Sequence, residues 1–281
     1  MKGLIEKAKL LTKQGDEFLA RLGEKDFHQE ARYLLEKARL QESYHFQELV
    51  EASFRQDFSH QQNFSSFQFS DLPLTLAYGE HCFLDLYFWR RRPTVIHNHH
   101  FSGAFMCLEG SNLDFEYQFH LQERFGKFHS TGIVELVKTR EIKAGDSAEI
   151  DFQDKFIHQN HHHCDLTINV CFRTPEKPGF NIANFLSSGL RFEKDPELLY
   201  RSEKLKRFVA LGNFDYEKIE LGIDDALYFL IEHYGSPSKN SLLLKLKSSL
   251  QARVKQETGL DIDQLMLEHE KKLDQLQEDY D

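Results

Sequence analysis

A mainly β core carried between two helical extensions is what the sequence predicts, and three observations predict it. Short apolar or alternating runs crowd the middle of the chain, broken by glycines at 79, 110, 126, 132 and 145. Such runs with turn glycines indicate antiparallel strands closing as a barrel or a double sheet of jelly-roll type. Residues before about 56 and after Pro178 instead space their apolar positions at helical intervals. Three segments follow: a helical segment over 1–70, a β-barrel over 71–178 and a helical segment over 179–281.

Leu4, Ile5, Ala8 and Leu11, then Ala31, Leu34, Leu35 and Ala38, then Phe46, Leu49 and Val50 predict two or three amphipathic helices. The polar and aromatic run from Gln56 to Ser70 has neither period and reads as a connecting loop. Strands are expected over Leu74–Tyr78, Cys82–Trp89, Ala104–Leu108, Leu113–Phe119, Ile133–Arg140 and Asp165–Phe172. Two of these, Leu113-Asp-Phe-Glu-Tyr-Gln-Phe and Leu166-Thr-Ile-Asn-Val-Cys-Phe, alternate cleanly, so apolar and polar side chains take opposite faces. After Pro175 and Pro178 come amphipathic stretches at Pro196–Leu211, Ile223–Tyr234 and about Ser241–Glu257. The charged Ile262–Glu278 closes the chain as a surface helix or, alternatively, a homodimer contact.

The 281 residues carry a formal net charge of -10, and Arg90-Arg91-Arg92 is the one basic cluster at the centre, so nucleic acid has no electrostatic footprint to bind. No run of about eighteen apolar residues could cross a bilayer. The opening Met-Lys-Gly-Leu-Ile-Glu-Lys is too polar for a signal peptide, and Cys82, Cys107, Cys164 and Cys171 lack paired spacing, so a reducing, cytoplasmic location is expected. Neither a Gly-x-Ser-x-Gly elbow nor a glycine-rich phosphate loop occurs, which sets aside serine hydrolases and phosphate-cradling enzymes.

Chemistry concentrates in the histidines. Of 15, seven fall in Ile96-His97-Asn-His99-His100 and Phe156-Ile-His158-Gln-Asn-His161-His162-His163. In a strand, His97 and His99 leave the same face, and a later strand can bring His158 to them. Three imidazoles on one face make a metal site with open positions. Parity places His100 and part of the 161–163 triplet elsewhere.

The spacing resembles the cupin family, over roughly residues 71–178. Its first motif, Gly-x5-His-x-His-x3,4-Glu-x6-Gly, aligns on His97 and His99, with Gly103 at the Glu position, Gly110 at the last glycine and Arg91 at the first. Its second keeps His158, with Gly145 slightly out of register. The resemblance implies a divalent metal, ferrous iron first, with zinc, nickel or manganese open. Three neutral imidazoles without the glutamate leave its charge uncompensated and favour an anionic partner. The thiol dioxygenase branch is similar in its three histidines, which implies a non-haem iron oxygenase acting on a small anionic molecule. A non-redox isomerase or lyase and a binding or sensing module are the alternatives. That branch's Ser-x-His-x-Tyr run is replaced by Asn169, Cys171 and Arg173, and no cysteine stands at 103 or 104, so free cysteine is expected to be a poor substrate. Arg173 and Asn169 on one strand face, with Tyr87 and Trp89 on another, are the expected substrate-binding residues.

Overall fold

The computed structural model describes residues 2–53, 70–211, 221–235 and 241–280. The expected loop at Gln56–Ser70 lies outside these residues except for Ser70. The chain divides into two compact units, Met1–Tyr117 with Leu136–Phe180, and Gln118–Glu135 with Asn181–Asp281. The expected 1–70 and 71–178 segments thus fall in the first unit, apart from the excursion 118–135.

In the first unit, the helical spacing near the start becomes α1 (Lys2–Leu22), α2 (Phe27–Ala38) and α3 (Phe46–Ser53). Strands β1 (Leu72–Tyr78), β2 (Phe83–Trp89), β3 (Arg92–Pro93), β4 (Ile96–His99) and β5 (Gly103–Glu109) follow. The start of β6 (Ser111–Arg124), the end of β7 (His129–Lys143), β8 (Ser147–Ile150), β9 (Gln153–His162) and β10 (Thr167–Arg173) complete it.

One sheet runs β1-β2-β10-β5-β8, and its pairings are antiparallel. The two-residue period of its strands sorts side chains to two different tasks. Leu84, Leu86 and Phe88 of β2, Ala104, Met106 and Leu108 of β5, and Ile168, Val170 and Phe172 of β10 pack with Leu4, Ala8, Leu11, Phe27, Ala31 and Leu35 of the helices. The opposite face carries Tyr87, Trp89, Phe105 and Cys171, a second apolar cluster that walls a cavity. Strand β9 pairs with β3, β4 and β6 and forms the facing wall. This is the expected mainly β core of jelly-roll type with helical extensions. The β5–β6 turn is closed by Gly110 at φ 78, a left-handed conformation that costs glycine nothing.

The second unit holds the tip of the β6–β7 hairpin, β11 (Ala183–Phe185), β12 (Leu190–Glu193), α4 (Pro196–Leu211), α5 (Ile223–Glu232), α6 (Ser241–Thr258) and α7 (Ile262–Tyr280). Val209, Phe229, Leu246, Leu250, Val254 and Ile262 form its core. Asp224 at the start of α5 accepts hydrogen bonds from the backbone N–H of Lys127 and Phe128 and from His129 Nδ1, which ties down the hairpin tip. The β11–β12 hairpin lies in a stretch expected to belong to the helical segment. Among the described residues, no helix is long and apolar enough to cross a membrane.

Candidate metal centre

Antiparallel pairing of β4 with β9 sets His97 directly opposite His158, and the register shifts before His99, which pairs with Gln153. A shift of this kind re-aims a side chain. The result is a buried group in which one ligand atom from each of His97, His99 and His158 lies within 4.8 Å of the others. His99 Nε2 and His158 Nε2 are 3.0 Å apart, and the ring centroids of all three pairs are separated by 4.8 to 5.0 Å.

The outer nitrogens of two of these rings are fixed by hydrogen bonds. His97 Nδ1 is 2.8 Å from the carbonyl of Val95, which can only accept, so the proton sits on Nδ1 and Nε2 keeps its lone pair. His158 Nδ1 is 2.8 Å from Asp114 Oδ1, with the same consequence for its Nε2. Asp114 is 1% exposed, and its other oxygen accepts from Arg140 Nε at 2.9 Å and Nη2 at 2.7 Å. Burial would raise the Asp114 carboxyl, but the bonds from His158 and Arg140 outweigh it and hold the group below the usual carboxylate range. Burial, helped by the neighbouring His97 and His158, pushes His99 well below the ordinary imidazole value. With Nδ1 of His97 and His158 engaged by Val95 and Asp114, their Nε2 atoms are the ones left to face a divalent ion. Nitrogens roughly 2.0–2.1 Å from one ion stand about 3 Å or more apart, so the 3.0 Å separation fits a shared ion. His97, His99 and His158 can hold a divalent metal.

Around them lies a cavity of ≈ 30 Å³, walled by Phe101, Phe105 and Ile150 with Tyr87, Trp89, Asn169 and Cys171. That volume exceeds the roughly 10–15 Å³ one water needs, so it takes an ion with one or two water-sized ligands. Burial raises the Cys171 thiol to about 12 and also raises the Tyr87 phenol, so both keep their protons at neutral pH. Asn169 Oδ1 is buried with no hydrogen-bond partner among the described residues, an acceptor in the cavity wall.

The structure thus brings Asn169, Tyr87 and Trp89 together with the three histidines. Arg173 is not among the cavity-lining residues. Its guanidinium lies between the rings of Phe83 and Phe101, at 4.1 and 4.7 Å from their centroids, and Nε and Nη2 face Asp85 Oδ2 at 3.3 and 3.2 Å. Asp85 also accepts from Thr75 at 2.7 Å and Tyr87 at 3.1 Å. Of the other clustered histidines, His100 faces Glu176, His162 stacks on Trp89 at 4.8 Å, and His163 meets Ser111.

The position aligned with the cupin glutamate is closed. A Cβ on Gly103 would stand 2.3 Å from the Phe172 carbonyl oxygen and 2.8 Å from the Arg173 Cα, because β10 passes directly against β5 there. Asp114, Arg140, Thr94 and Asn160 are site residues that sequence reasoning missed. The Asn112-x-Asp114 alternation puts both side chains on one face of β6, where they bond Asn160 and His158 of the neighbouring β9, but alternation alone does not say which face that is.

No family model and no curated protein matches the chain. Solved structures match parts of it. A lyase of DMSP, DddQ from Ruegeria pomeroyi DSS-3, is 8% identical over 40% of this chain and 49% of its own, with a TM-score of 0.28. The hydroquinone 1,2-dioxygenase from Sphingomonas sp. TTNP3, solved with 4-hydroxybenzoate bound, is 4% identical over 37% of this chain and 65% of its own, with a TM-score of 0.29. A cupin-2 domain containing protein from Shewanella frigidimarina NCIMB 400 is 11% identical over 43% of this chain and 100% of its own, with a TM-score of 0.26. Part of this chain resembles each of them. The likeness covers about half the length of the DMSP lyases.

Proposed function

We propose that this protein is a metal-dependent non-haem oxygenase of cupin type, with ferrous iron held by His97, His99 and His158 and a small anionic molecule as substrate. The observation that carries the reading is the convergence of three buried imidazoles, two of them with their outer nitrogens already committed to Val95 and Asp114. A bound ferrous ion would supply redox chemistry. The chain supplies a three-imidazole ligand set, a cavity walled in part by phenylalanine and isoleucine, and Asn169, Tyr87 and Trp89 to orient what enters. Among the described residues no carboxylate joins the ligand group, so a bound ion would keep its charge and attract an anion. Arg173 retains one nitrogen, Nη1, with no partner among the described residues, and this reading assigns that atom to the anionic group.

Metal analysis of protein purified without chelator, beside a His97→Ala/His99→Ala variant, tests the centre. Near-stoichiometric metal in the wild type and little in the variant is expected; equal content in both would refute the site. Oxygen uptake by the ferrous protein with candidate carboxylates and thiols tests the activity. One observation favours a second reading, a metal-dependent module that binds a very small ligand without turnover: the cavity's ≈ 30 Å³. Tight ligand binding with no oxygen consumed would select it.

A further inference from the structure

Asp114 is a buried carboxylate that meets the ring of His158 from behind. Its two oxygens have separate partners. Oδ1 is 2.8 Å from His158 Nδ1, and Oδ2 takes both Nε and Nη2 of Arg140 at 2.9 and 2.7 Å. The side chain of Asp114 is fully buried, whereas that of Arg140 is 24% exposed, so a buried acid is held by a two-bonded, partly exposed guanidinium. All three groups lie in the first unit, and the cross-strand pairing of β6 with β9 sets Asp114 opposite Asn160, two residues from His158.

An imidazole whose Nδ1–H is bonded to a carboxylate is a stronger donor at Nε2, because part of the carboxylate charge reaches the ring. A guanidinium on the same carboxylate withdraws that charge. We propose that Asp114 and Arg140 form a positioning pair that sets how strongly His158 donates, and through it how much positive charge the three-histidine centre presents to an anionic ligand. The proposal rests on the reading of those histidines as ligands. A bound ion would be held by the histidines and not by Asp114 or Arg140; Asp114 fixes the His158 tautomer, and Arg140 holds the charge of Asp114 in check.

Opposite effects follow from the two partners. Asp114→Asn removes the charge, frees the tautomer and weakens metal binding by about 10–100-fold. The metal that does bind takes up an anion more tightly. Arg140→Gln leaves the carboxylate less compensated, so His158 donates more: metal affinity is held or raised, and anion affinity falls. Arg140→Lys keeps the charge and restores most of the wild-type anion affinity. A merely structural role would instead make Asp114→Asn and Arg140→Gln lose metal together.

The test has two arms. Nitrogen-15 NMR of the metal-free protein reads the His158 tautomer, expected as Nδ1–H in the wild type and Arg140→Lys and as a mixture in Asp114→Asn. Cobalt(II) titration against a chelator, followed by azide titration of the cobalt spectrum, reads metal and anion affinity in all four proteins. A wild-type His158 protonated on Nε2, or metal affinities that fall together in Asp114→Asn and Arg140→Gln, would overturn the proposal. If the tautomers behave as expected but the wild type takes up no cobalt, the metal reading fails, and with it the role in charge control. The fixed His158 tautomer would stand as a separate result.

Discussion

Restoring the glutamate of the cupin motif at residue 103 is the obvious way to convert this site into one with a carboxylate ligand, and the close strand contact there makes it destabilising instead. Any side chain at 103 begins with a Cβ, which would stand 2.3 Å from the Phe172 carbonyl oxygen, 2.8 Å from Arg173 Cα and 2.9 Å from Arg173 Cβ. Two of those three atoms are backbone of the adjoining strand, so relief requires β5 and β10 to part by about an ångström. Overpacking of this kind costs about 1–3 kcal/mol. Ladder hydrogen bonds lost beside the Gly103–Arg173 pair, such as Thr174 N–H to the Ser102 carbonyl, add about 1 kcal/mol each. Gly103→Ala is therefore expected to lose about 2–5 kcal/mol, or roughly 10 °C in Tm at ~2–4 °C per kcal/mol. Gly103→Glu is expected to lose more. The assay is urea unfolding followed by tryptophan fluorescence, since the single tryptophan, Trp89, sits in the cavity wall. Gly3→Ala, in α1 with nothing within 4 Å of the added carbon, is the control and should be neutral or gain up to about 1 kcal/mol. A Gly103→Ala protein within about 0.5 kcal/mol of wild type would refute the account of why the glutamate is missing.

Asp85→Leu leaves the buried Arg173 guanidinium without its carboxylate and should cost about 3–5 kcal/mol, whereas Asp85→Leu/Arg173→Met should recover most of that loss. Denaturant midpoints decide it, and a double variant no better than the single would argue that Arg173 is held mainly by its aromatic neighbours. In the second unit, burial lowers His233 and His269 to about 4 each, while the unfolded chain titrates near 6.5. Between those values the unfolded state binds more protons, so stability is full above about 6.5 and falls as pH drops towards 4, by up to about 3 kcal/mol for each group. Calorimetry at pH 7 and pH 5 should show this loss, reduced in His233→Asn; an unchanged Tm would refute it. Chelation of the metal-loaded protein should lower its Tm by several degrees and leave His97→Ala/His99→Ala unaffected, as mass action requires of a ligand that binds only the folded state.

Element type was legible where a period could run for several residues. The apolar positions 31, 34, 35 and 38 mark α2, and the alternation of 166–172 marks β10 almost to its ends. It was not legible in β4, β11 and β12, which have four, three and four residues and are too short to show a period. Strand β9 escaped for a different reason. Ile157, His158, Gln159, Asn160, His161 and His162 are all buried, so both of its faces are inside and polar residues occupy positions where apolar ones are expected. The excursion 118–135 shows the limit of reading domains from texture. Residues 111–124 and 129–143 are each one continuous strand, yet the middle of that hairpin belongs with residues 181–281, and nothing in its alternation marks the change.

His97 and His99 could be read together because positions i and i+2 of an extended segment share a face, and His158 came from the resemblance to the second cupin motif. Asp114 could not be read, because parity separates Asp114 from Phe115 without saying which of them turns toward His158, and in the structure both are buried. The difference bears on the chemistry. A glutamate at 103 would have placed its charge directly on the ion, and backbone contact forbids it. Asp114 places a charge one imidazole further away, and Arg140 neutralises much of it. Coulomb attraction falls with distance and with screening by an opposite charge, so little of the dipositive charge would be cancelled from within the protein. A centre built this way leaves the balance to be met by what binds in the cavity, and with room for only one or two water-sized groups there, a compact anion or a single anionic arm of a larger molecule meets it best.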